Sequence, residues 1–261
     1  MDIVIQGKIF PGTYDTAKCY TTLDFIDNVI ISTWDDETIE SKHDNIKIVK
    51  SPVPYTPAMN LNLQIVSFNE GVKHVTSDFT MKFRSDQTVT RSSMNMLKRF
   101  VDKKGFKCNL KYSDGSGPKG KIYTIGLYKT FAYHPQDHIF WGYTEDLKSL
   151  YSCPLFKKDS YITPTWAGDF DTKNIRVPCY FGAYYFAKFN PEVYNHIDNF
   201  KDYLLDNSPN RDIAIETSID IQDKIFQVFP RLKMRWEKYN TGYMYDLYEP
   251  QGEYYHDEPW E

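Results

Sequence analysis

Short apolar runs alternate with longer segments of helical spacing along the first hundred residues. Four runs rich in β-branched or aromatic side chains predict strands: residues 2–6, 28–34, 45–49 and 79–83. Three segments with apolar side chains three and four positions apart predict helices: residues 13–25, 60–74 and 92–103. Alternation of strand and helix is typical of an α/β fold with a mostly parallel sheet and right-handed crossovers.

The second half of the chain has a less regular pattern. Residues 113–121, SDGSGPKGK, have the composition of a loop. Three further runs predict strands: residues 122–128, 138–141 and 179–186. Two segments predict helices: residues 191–205 and 215–229. Residues 245–261 form an acidic, aromatic stretch without Lys or Arg, which suits either an ordered tail over a site or a loose terminus.

Polar residues follow three of the predicted strands at the point where each strand ends. They are Gln6-Gly7, Asp35-Asp36 and Arg84-Ser85-Asp86. In open α/β sheets, ligands bind beyond the carboxyl ends of the strands, where the strand order switches. Three strands that deliver polar groups to one crevice predict a ligand site there.

Composition narrows the classes of protein that fit. A net charge of −4 argues against a general nucleic-acid binder, which needs a positive field. Four widely spaced cysteines without a CxxC pair are poor zinc ligands and suit free thiols in a reducing compartment. The chain opens on a strand pattern rather than a signal peptide, and no apolar run approaches 18 residues. We therefore expect a cytoplasmic protein without a membrane span.

The segment Arg84-Ser85-Asp86 combines a cation and a carboxylate that can bind a phosphorylated ligand. The fork of an arginine matches phosphate oxygens. A carboxylate at a strand end can bind a divalent cation that bridges a diphosphate, or accept a hydrogen bond from a ribose hydroxyl. The alternative is an Arg–Asp ion pair on the surface with no ligand.

Three blocks of sequence resemble one known family. IVIQGKI at residues 3–9, STWDDE at 32–37 and NLNLQIVSFNEGVKHVTSDFTMKFRSD at 60–86 are similar, in the same order, to segments of WavE-type lipopolysaccharide-synthesis glycosyltransferases and related viral enzymes. The resemblance implies one GT-A-like domain of α/β class. A Rossmann-type nucleotide-binding half with a mostly parallel sheet, residues 1–112, would be fused to a mixed α/β acceptor half, residues 113–261.

The resemblance also assigns expected roles to residues. Asp86 matches the last aspartate of the D-x-D triplet of GT-A enzymes, so it would hold Mn²⁺ or Mg²⁺, or the donor ribose. Arg84 stands where that triplet has its first aspartate, which puts strong metal dependence in doubt because the arginine itself can neutralise a diphosphate. The residues expected around the nucleotide sugar, such as a UDP-sugar, are Gln6, Gly7, Trp34, Asp35, Asp36, Asn62, Gln64, Arg84, Ser85 and Asp86.

A second constellation lies in DHIFWGYTEDLKSLY, residues 137–151. Inverting sugar transfer needs a general base that takes the proton of the acceptor hydroxyl. The layout resembles the W-G-x-E-D arrangement at the acceptor side of GT-A enzymes, which makes Asp146 the first candidate for the base, Glu145 the second and Asp137 an outside candidate. The structural alternative is that Thr144 caps a helix whose first-turn acids suit the helix dipole.

The leading hypothesis is a glycosyltransferase that uses a nucleotide-sugar donor, a divalent metal and a glycan acceptor. His256 is a further candidate metal ligand from the tail. One alternative is a metal-dependent nucleotidyltransferase or phosphohydrolase, which needs a second carboxylate near Asp86. The other is a non-catalytic carbohydrate-binding protein, which the 21 tyrosines suit. Neither a GxSxG motif nor a P-loop is present.

Overall fold

A computed structural model describes residues 1–55, 60–156, 177–204 and 208–229, together with the backbone of residues 233–236 and 244–246. Its centre is a seven-stranded sheet with the strand order β10-β6-β9-β4-β1-β2-β3. The strands of this sheet are β1 Asp2–Gln6, β2 Asn28–Trp34, β3 Ile46–Ser51, β4 Phe79–Arg84, β6 Ile122–Thr124, β9 Ile139–Tyr143 and β10 Phe226–Val228. The shorter strands are β5 Gln87–Val89, β7 Leu127–Tyr128, β8 His134–Pro135, β11 Lys233–Trp236 and β12 Met244–Asp246.

The sheet is mostly parallel, as the alternating pattern predicts. Strand β1 lies between β2 and β4 and is parallel to both, and β2 is parallel to β3. Strand β9 is antiparallel to its two neighbours, β4 and β6. Every residue of β1 is buried, because helices cover both faces of the sheet at this position. The predicted α/β class with a mostly parallel sheet is confirmed.

Eight helices are described: α1 Thr13–Tyr20, α2 Leu61–Val72, α3 Arg91–Lys104, α4 Thr144–Leu150, α5 Val177–Ala187, α6 Val193–Asp198, α7 Phe200–Tyr203 and α8 Arg211–Ile225. Alternation along β1 sends Ile3 and Ile5 into one apolar layer and Val4 into the other. The first layer contains buried residues of α1 and α3, and the second contains those of α2, α4 and α5.

Several predicted elements of the second half differ from the structure. Residues 179–186, predicted as a strand, belong to helix α5, whose described side chains are almost all buried. A short apolar run without a polar face carries no period that separates a buried strand from a buried helix. Its Gly182 is required by packing, since a Cβ there would lie 1.9 Å from the carbonyl oxygen of Tyr133.

The remaining differences concern where elements end. The predicted helix 13–25 ends at Tyr20, and the predicted strand 122–128 is interrupted between β6 and β7. The predicted helix 191–205 is divided into α6 and α7, and helix α8 begins at Arg211 and passes into β10 at Phe226. None of the helices in the described parts of the chain has the length and apolar character needed to cross a membrane.

Candidate functional site

The carboxyl ends of β1, β2 and β4 form one row of polar side chains. Gln6 is in register with Ser32 on one side and with Arg84 on the other. Neighbouring strands lie about 4.8 Å apart, so the three side chains occupy about 10 Å of the sheet edge. Gln6 and Ser32 are buried, whereas Arg84 keeps 25% of its side chain exposed. The structure therefore brings Gln6 and Arg84 together at the edge where a ligand was predicted.

The turns that follow β1 and β4 pack against each other. Gly7 has φ +119°, and a Cβ at this position would lie 2.8 Å from Oγ of Ser85. The backbone N–H of Ser85 donates to the carbonyl oxygen of Gln6 over 2.9 Å. The hydroxyl of Thr13 donates to the carbonyl oxygen of Ser85 over 3.0 Å. Glycine at position 7 is thus needed both for its backbone angle and for the close approach of the two turns.

Arg84 and Asp86 form a two-pronged ion pair. Nε of Arg84 donates to Oδ1 of Asp86 over 3.0 Å, and one terminal nitrogen donates to Oδ2 over 2.8 Å. The Asp86 side chain is only 6% exposed. Because both oxygens of the carboxylate accept from the same planar guanidinium, the pair fixes the orientation of the arginine as well as its charge.

Asp137 reaches the same edge from the loop that precedes β9. Because β9 is antiparallel to β4, its amino end lies beside the carboxyl end of β4. Oδ2 of Asp137 lies 3.8 Å from a terminal nitrogen of Arg84, and the neighbouring Gln64 side chain lowers the pKa of this carboxyl group further. Burial alone would raise the pKa of Asp137, but the charges of Arg84, His138 and Lys82 hold that pKa well below its usual range.

Lys82 lies behind this cluster and was not among the predicted site residues. Its side chain is completely buried, and Nζ donates to the backbone carbonyl oxygen of Asp137. The ammonium lies 5.5 Å from the ring centre of Phe140 and 6.0 Å from that of Tyr151. Burial lowers the pKa of Lys82 to about 7, against the attraction of Asp137. The sequence signal was a lysine within the otherwise apolar strand FTMKF.

Several buried polar atoms near this edge have no hydrogen-bond partner among the described residues. They are Oε1 of Gln6, Oε1 of Gln64, Oε1 of Gln87 and Oγ of Ser32. Nε2 of Gln87 is hydrogen-bonded to Nδ1 of His138, and burial lowers the pKa of that histidine to about 4. Buried polar atoms are nearly always paired with protein or ordered water, so these oxygens are open to hydrogen bonds from water or from a ligand.

The predicted site residues Trp34, Asp35 and Asp36 lie at and just after the carboxyl end of β2. Trp34 is buried at the end of β2, and its carbonyl oxygen accepts from the N–H of Glu37. Asp35 and Asp36 are exposed in the turn that follows. Both residues therefore follow β2 at the same carboxyl edge of the sheet, with their side chains open to solvent.

Asn62, which the family resemblance assigns to the nucleotide, has a structural role. Its side-chain nitrogen donates to the carbonyl oxygens of Tyr55 and Phe156, each over 2.9 Å. Its side-chain oxygen accepts from the N–H of Phe156 over 2.8 Å. Both amide hydrogens are thus committed to joining two loops at the start of α2, while Gln64 of the same helix faces Asp137.

Asp146 and Glu145 are not brought to this edge. Tyr143, at the end of β9, pairs with Phe79 at the start of β4, whereas Arg84 ends β4. Five residues of strand correspond to about 17 Å, so the two acids lie at the opposite edge of the sheet. Asp146 accepts from the backbone N–H groups of Lys119 and Gly120 over 3.0 and 2.9 Å, and burial raises its pKa to about 6.

The environment of Asp146 and Glu145 explains their presence structurally. Glu145 is paired with Lys148 over 2.8 Å at the surface. The structural alternative proposed Thr144 as the cap of α4, and this is wrong. The hydroxyl of Thr144 donates to the carbonyl oxygen of Ser77 and is hydrogen-bonded to the hydroxyl of Thr80. The helix begins after Tyr143 without a side-chain cap.

The described residues do not fit a divalent-metal site. Asp86 and Asp137 are the carboxylates at Arg84, and both are paired with that arginine. Across the described parts of the chain, no three His, Cys, Asp or Glu side chains are grouped so that they could hold a metal ion. His256 lies outside the described residues.

A cavity of about 400 Å³ lies between α5, α6 and the loop before residue 157. Its lining is aromatic and apolar with one carboxylate, and includes Phe156, Tyr180, Tyr184, Asp198 and Phe200. The hydroxyl of Tyr180 donates to the carbonyl oxygen of Pro154 over 3.0 Å. Because Phe156 is bonded to Asn62 at the start of α2, the cavity wall is joined to the helix that also carries Gln64.

Comparisons with known proteins concern both sequence and fold. A family model for WavE lipopolysaccharide synthesis matches residues 4–176. No curated protein matches the sequence. Among solved structures, the Francisella tularensis 2-C-methyl-D-erythritol 4-phosphate cytidylyltransferase IspD is 9% identical, with a TM-score of 0.36 over 57% of this chain and 76% of that chain.

Two glycosyltransferase structures are similar to the same extent. The galactosyltransferase LgtC, in complex with donor and acceptor sugar analogues, is 8% identical, with a TM-score of 0.34 over 57% of this chain and 59% of that chain. TarS from S. aureus, in complex with UDP-GlcNAc, is 13% identical, with a TM-score of 0.34 over 57% of this chain and 47% of that chain.

Proposed function

The chain belongs to the WavE lipopolysaccharide synthesis family, and from this premise we propose that it is a glycosyltransferase that moves a sugar from a nucleotide-sugar donor to a glycan hydroxyl. The observation that carries the proposal is the row Ser32, Gln6 and Arg84 at the carboxyl edge of the sheet, with Asp86 fixing the arginine. Parallel α/β sheets bind nucleotides at this edge.

The donor would lie along this row. The guanidinium of Arg84 suits the diphosphate, because a planar fork matches phosphate oxygens. The buried oxygens of Gln6 and Ser32 suit the donor groups of a base or ribose, and the exposed carboxylates of Asp35 and Asp36 suit ribose hydroxyls. UDP-GlcNAc in TarS makes a uridine diphosphate sugar the first donor to test.

The chemical step would be a displacement at the anomeric carbon. The acceptor oxygen forms a bond to that carbon while the bond to the β-phosphate oxygen breaks, and the nucleoside diphosphate leaves with the bonding electrons. Of the three predicted bases, Asp137 is the best supported, because its carboxylate lies 3.8 Å from Arg84. Its low pKa weakens it as a base in the free protein, and a diphosphate bound at Arg84 would raise that pKa by adding negative charge nearby.

The acceptor would use the aromatic cavity beside α5. Tyr180, Tyr184 and Phe156 offer ring faces for the C–H surface of a sugar, and Asp198 offers an acceptor for sugar hydroxyls. The hydrogen bonds of Asn62 hold this wall against the helix that contacts Asp137.

The two alternatives fit the site less well. A metal-dependent nucleotidyltransferase or phosphohydrolase needs carboxylates that are available to two metal ions, and Asp86 and Asp137 are both paired with Arg84. A non-catalytic carbohydrate-binding protein gives no reason to gather Arg84, Asp86, Asp137 and Lys82 at the carboxyl edge of a parallel sheet.

Isothermal titration calorimetry with a panel of nucleoside diphosphates and nucleotide sugars tests the proposal. We expect the nucleoside diphosphate and the nucleotide sugars of one base to bind. Without an acceptor, the bound nucleotide sugar should be hydrolysed slowly and release nucleoside diphosphate. Asp44 is exposed, so the variant Asp44→Asn serves as a control for nonspecific effects of removing one negative charge. If no nucleotide binds while a glycan array gives specific binding, the chain is a carbohydrate-binding protein instead.

A further inference from the structure

We propose that Arg84, fixed by Asp86 and Asp137, supplies the positive charge that binds the donor diphosphate, so that donor binding needs no divalent metal. The inference deepens the proposed function and rests on it. Its premise is a disagreement between the family-based expectation that Asp86 holds Mn²⁺ or Mg²⁺ and the contacts that Asp86 makes.

The order of the charges from solvent inward supports a role for the arginine itself. The side chain of Arg84 is 25% exposed, that of Asp137 11% and that of Asp86 6%. Lys82 is completely buried behind them. Of these charged side chains, that of Arg84 is therefore the most exposed to an approaching ligand, and its positive charge favours an anion.

The pairing of Asp86 opposes its use as a metal ligand. Both of its oxygens accept from Arg84, at 3.0 and 2.8 Å. A cation that coordinated Asp86 would have to displace these charge-assisted hydrogen bonds and would then lie beside the released guanidinium, which repels it. Asp137 gives no alternative, because its carboxylate also lies beside the guanidinium of Arg84, at 3.8 Å, where a metal cation would be repelled.

The balance of charge leads to the same result. Two bare carboxylates at a strand end repel a diphosphate and need a divalent cation to reverse their charge. Here the cluster pairs Asp86 and Asp137 with Arg84 and Lys82, so the cations are side chains of the same strand, β4. A diphosphate, unlike a metal cation, meets a guanidinium of opposite charge at this cluster, so its binding needs no bridging metal.

Calorimetry of the full chain with uridine, guanosine, cytidine and adenosine diphosphates, in 5 mM EDTA or 5 mM MnCl₂ (roughly the excess that saturates a weak metal site), tests the inference. We expect the best nucleotide to bind with dissociation constants that agree within about threefold in the two buffers. Tighter binding in MnCl₂ by about tenfold or more would overturn the inference but leave the proposed function standing. Absence of binding in both buffers would overturn both.

Two variants separate the arginine from a metal. Arg84→Gln should weaken nucleotide binding at least about tenfold in either buffer, whereas Arg91→Gln, at an exposed position outside the site, should leave it unchanged. Recovery of Arg84→Gln by MnCl₂ would overturn the inference, since the metal would then supply the charge. Urea unfolding of each variant establishes that it is folded, and Arg84→Lys serves as a second variant if Arg84→Gln is not.

Discussion

The guanidinium of Arg84 donates to both carboxylate oxygens of Asp86, a residue only two positions further along the chain. The two residues are therefore one structural unit rather than two independent ligands of a nucleotide. The alternative of an ion pair without a ligand is right about the pair, but the burial of Asp86 distinguishes it from an ordinary surface pair.

Replacing Arg84 by lysine tests whether the planar fork matters or only its charge. Arg84→Lys keeps one positive charge but cannot bond to both oxygens of Asp86 and to a phosphate with the same geometry. We expect nucleoside diphosphate binding to weaken about threefold, which lies between the values for wild type and Arg84→Gln. Calorimetry measures this directly, and an affinity equal to that of wild type would show that charge alone is sufficient.

Removal of the Asp137 charge should destabilise the fold in a way that depends on pH. The pKa of Asp137 is lowered in the folded state, so its carboxylate contributes stability above the unfolded pKa of about 4 and loses that contribution as the pH falls below it. We expect Asp137→Asn to cost about 3 kcal/mol at pH 7, because it leaves Arg84 and Lys82 without this partner. The difference should shrink below pH 4.

Urea unfolding of wild type and Asp137→Asn at pH 7, 5 and 3.5 checks this expectation. Asp35→Asn is the matched control, since Asp35 is exposed and its substitution should change the free energy of unfolding by less than about 0.5 kcal/mol. A constant difference between wild type and Asp137→Asn across this range would contradict the assignment of the low pKa to Asp137.

Lys82 should give stability the opposite dependence on pH. Burial lowers its folded pKa to about 7, whereas its unfolded pKa is about 10.4. Between these values the unfolded chain binds more protons than the folded chain, so the contribution of Lys82 becomes less unfavourable as the pH rises. Relative to Lys82→Met, wild type should therefore gain stability from pH 7 to pH 10, by up to roughly 1.4 kcal/mol per pH unit.

The measurement for Lys82 is urea unfolding of both proteins at pH 6.5, 8 and 9.5. Lys98→Met is the control, because Lys98 lies on the surface of α3 in an ion pair with Asp102 and should show no such trend. Parallel stability curves for wild type and Lys82→Met would show that Lys82 stays charged in the folded protein throughout.

Gly7 should affect nucleotide binding more than a comparable glycine elsewhere. Gly7→Ala introduces a Cβ 2.8 Å from Oγ of Ser85 and strains a backbone with φ +119°. Gly115, with φ +87° and no atom within 4 Å of an added Cβ, provides strain without the clash. We expect both variants to lose about 1 kcal/mol of stability and Gly7→Ala alone to lose nucleotide affinity, as measured by urea unfolding and calorimetry. Equal affinities would place Ser85 away from the ligand.

The elements of the first hundred residues were predictable because their period changes clearly from strand to helix. Strands β1 and β4 end at the polar residues Gln6 and Arg84, and Asp35 directly follows β2. The pattern of apolar and polar residues therefore predicted this edge of the sheet. Helix α5 was not, because its residues are apolar on all sides and carry no helical stripe.

The direction of β9 explains why the candidate bases are separated. Nothing local in IFWGY shows whether a strand runs parallel or antiparallel to its neighbour. The resemblance to the W-G-x-E-D arrangement predicted Glu145 and Asp146 at the acceptor side of the site, but β9 is antiparallel to β4 and its carboxyl end lies at the edge opposite Arg84. The same reversal brings Asp137, at the amino end, to Arg84. Lys82 was overlooked because a lysine inside an apolar run reads as a break in the pattern rather than as a buried charge.

Asp146 and Asp137 should therefore respond differently to the same substitution. Asp146→Asn leaves one of the N–H groups of Lys119 and Gly120 without its acceptor, which should cost about 1–3 kcal/mol of stability. Nucleotide affinity and the rate of nucleoside diphosphate release from the bound sugar nucleotide should stay within about threefold of wild type, since the residue lies about 17 Å of strand from Arg84. Asp137→Asn should lower that rate by at least about a hundredfold.

The pH profile of the release rate provides the second readout. Burial raises the pKa of Asp146 to about 6, so a rate that depended on Asp146 as base would rise through pH 6 and lose this inflection in Asp146→Asn. If the base is Asp137, the inflection of wild type is retained in Asp146→Asn and is absent from the residual activity of Asp137→Asn. Loss of the rate in Asp146→Asn, with nucleotide affinity unchanged, would return the role of base to Asp146 and would require the two edges of the sheet to act on one substrate.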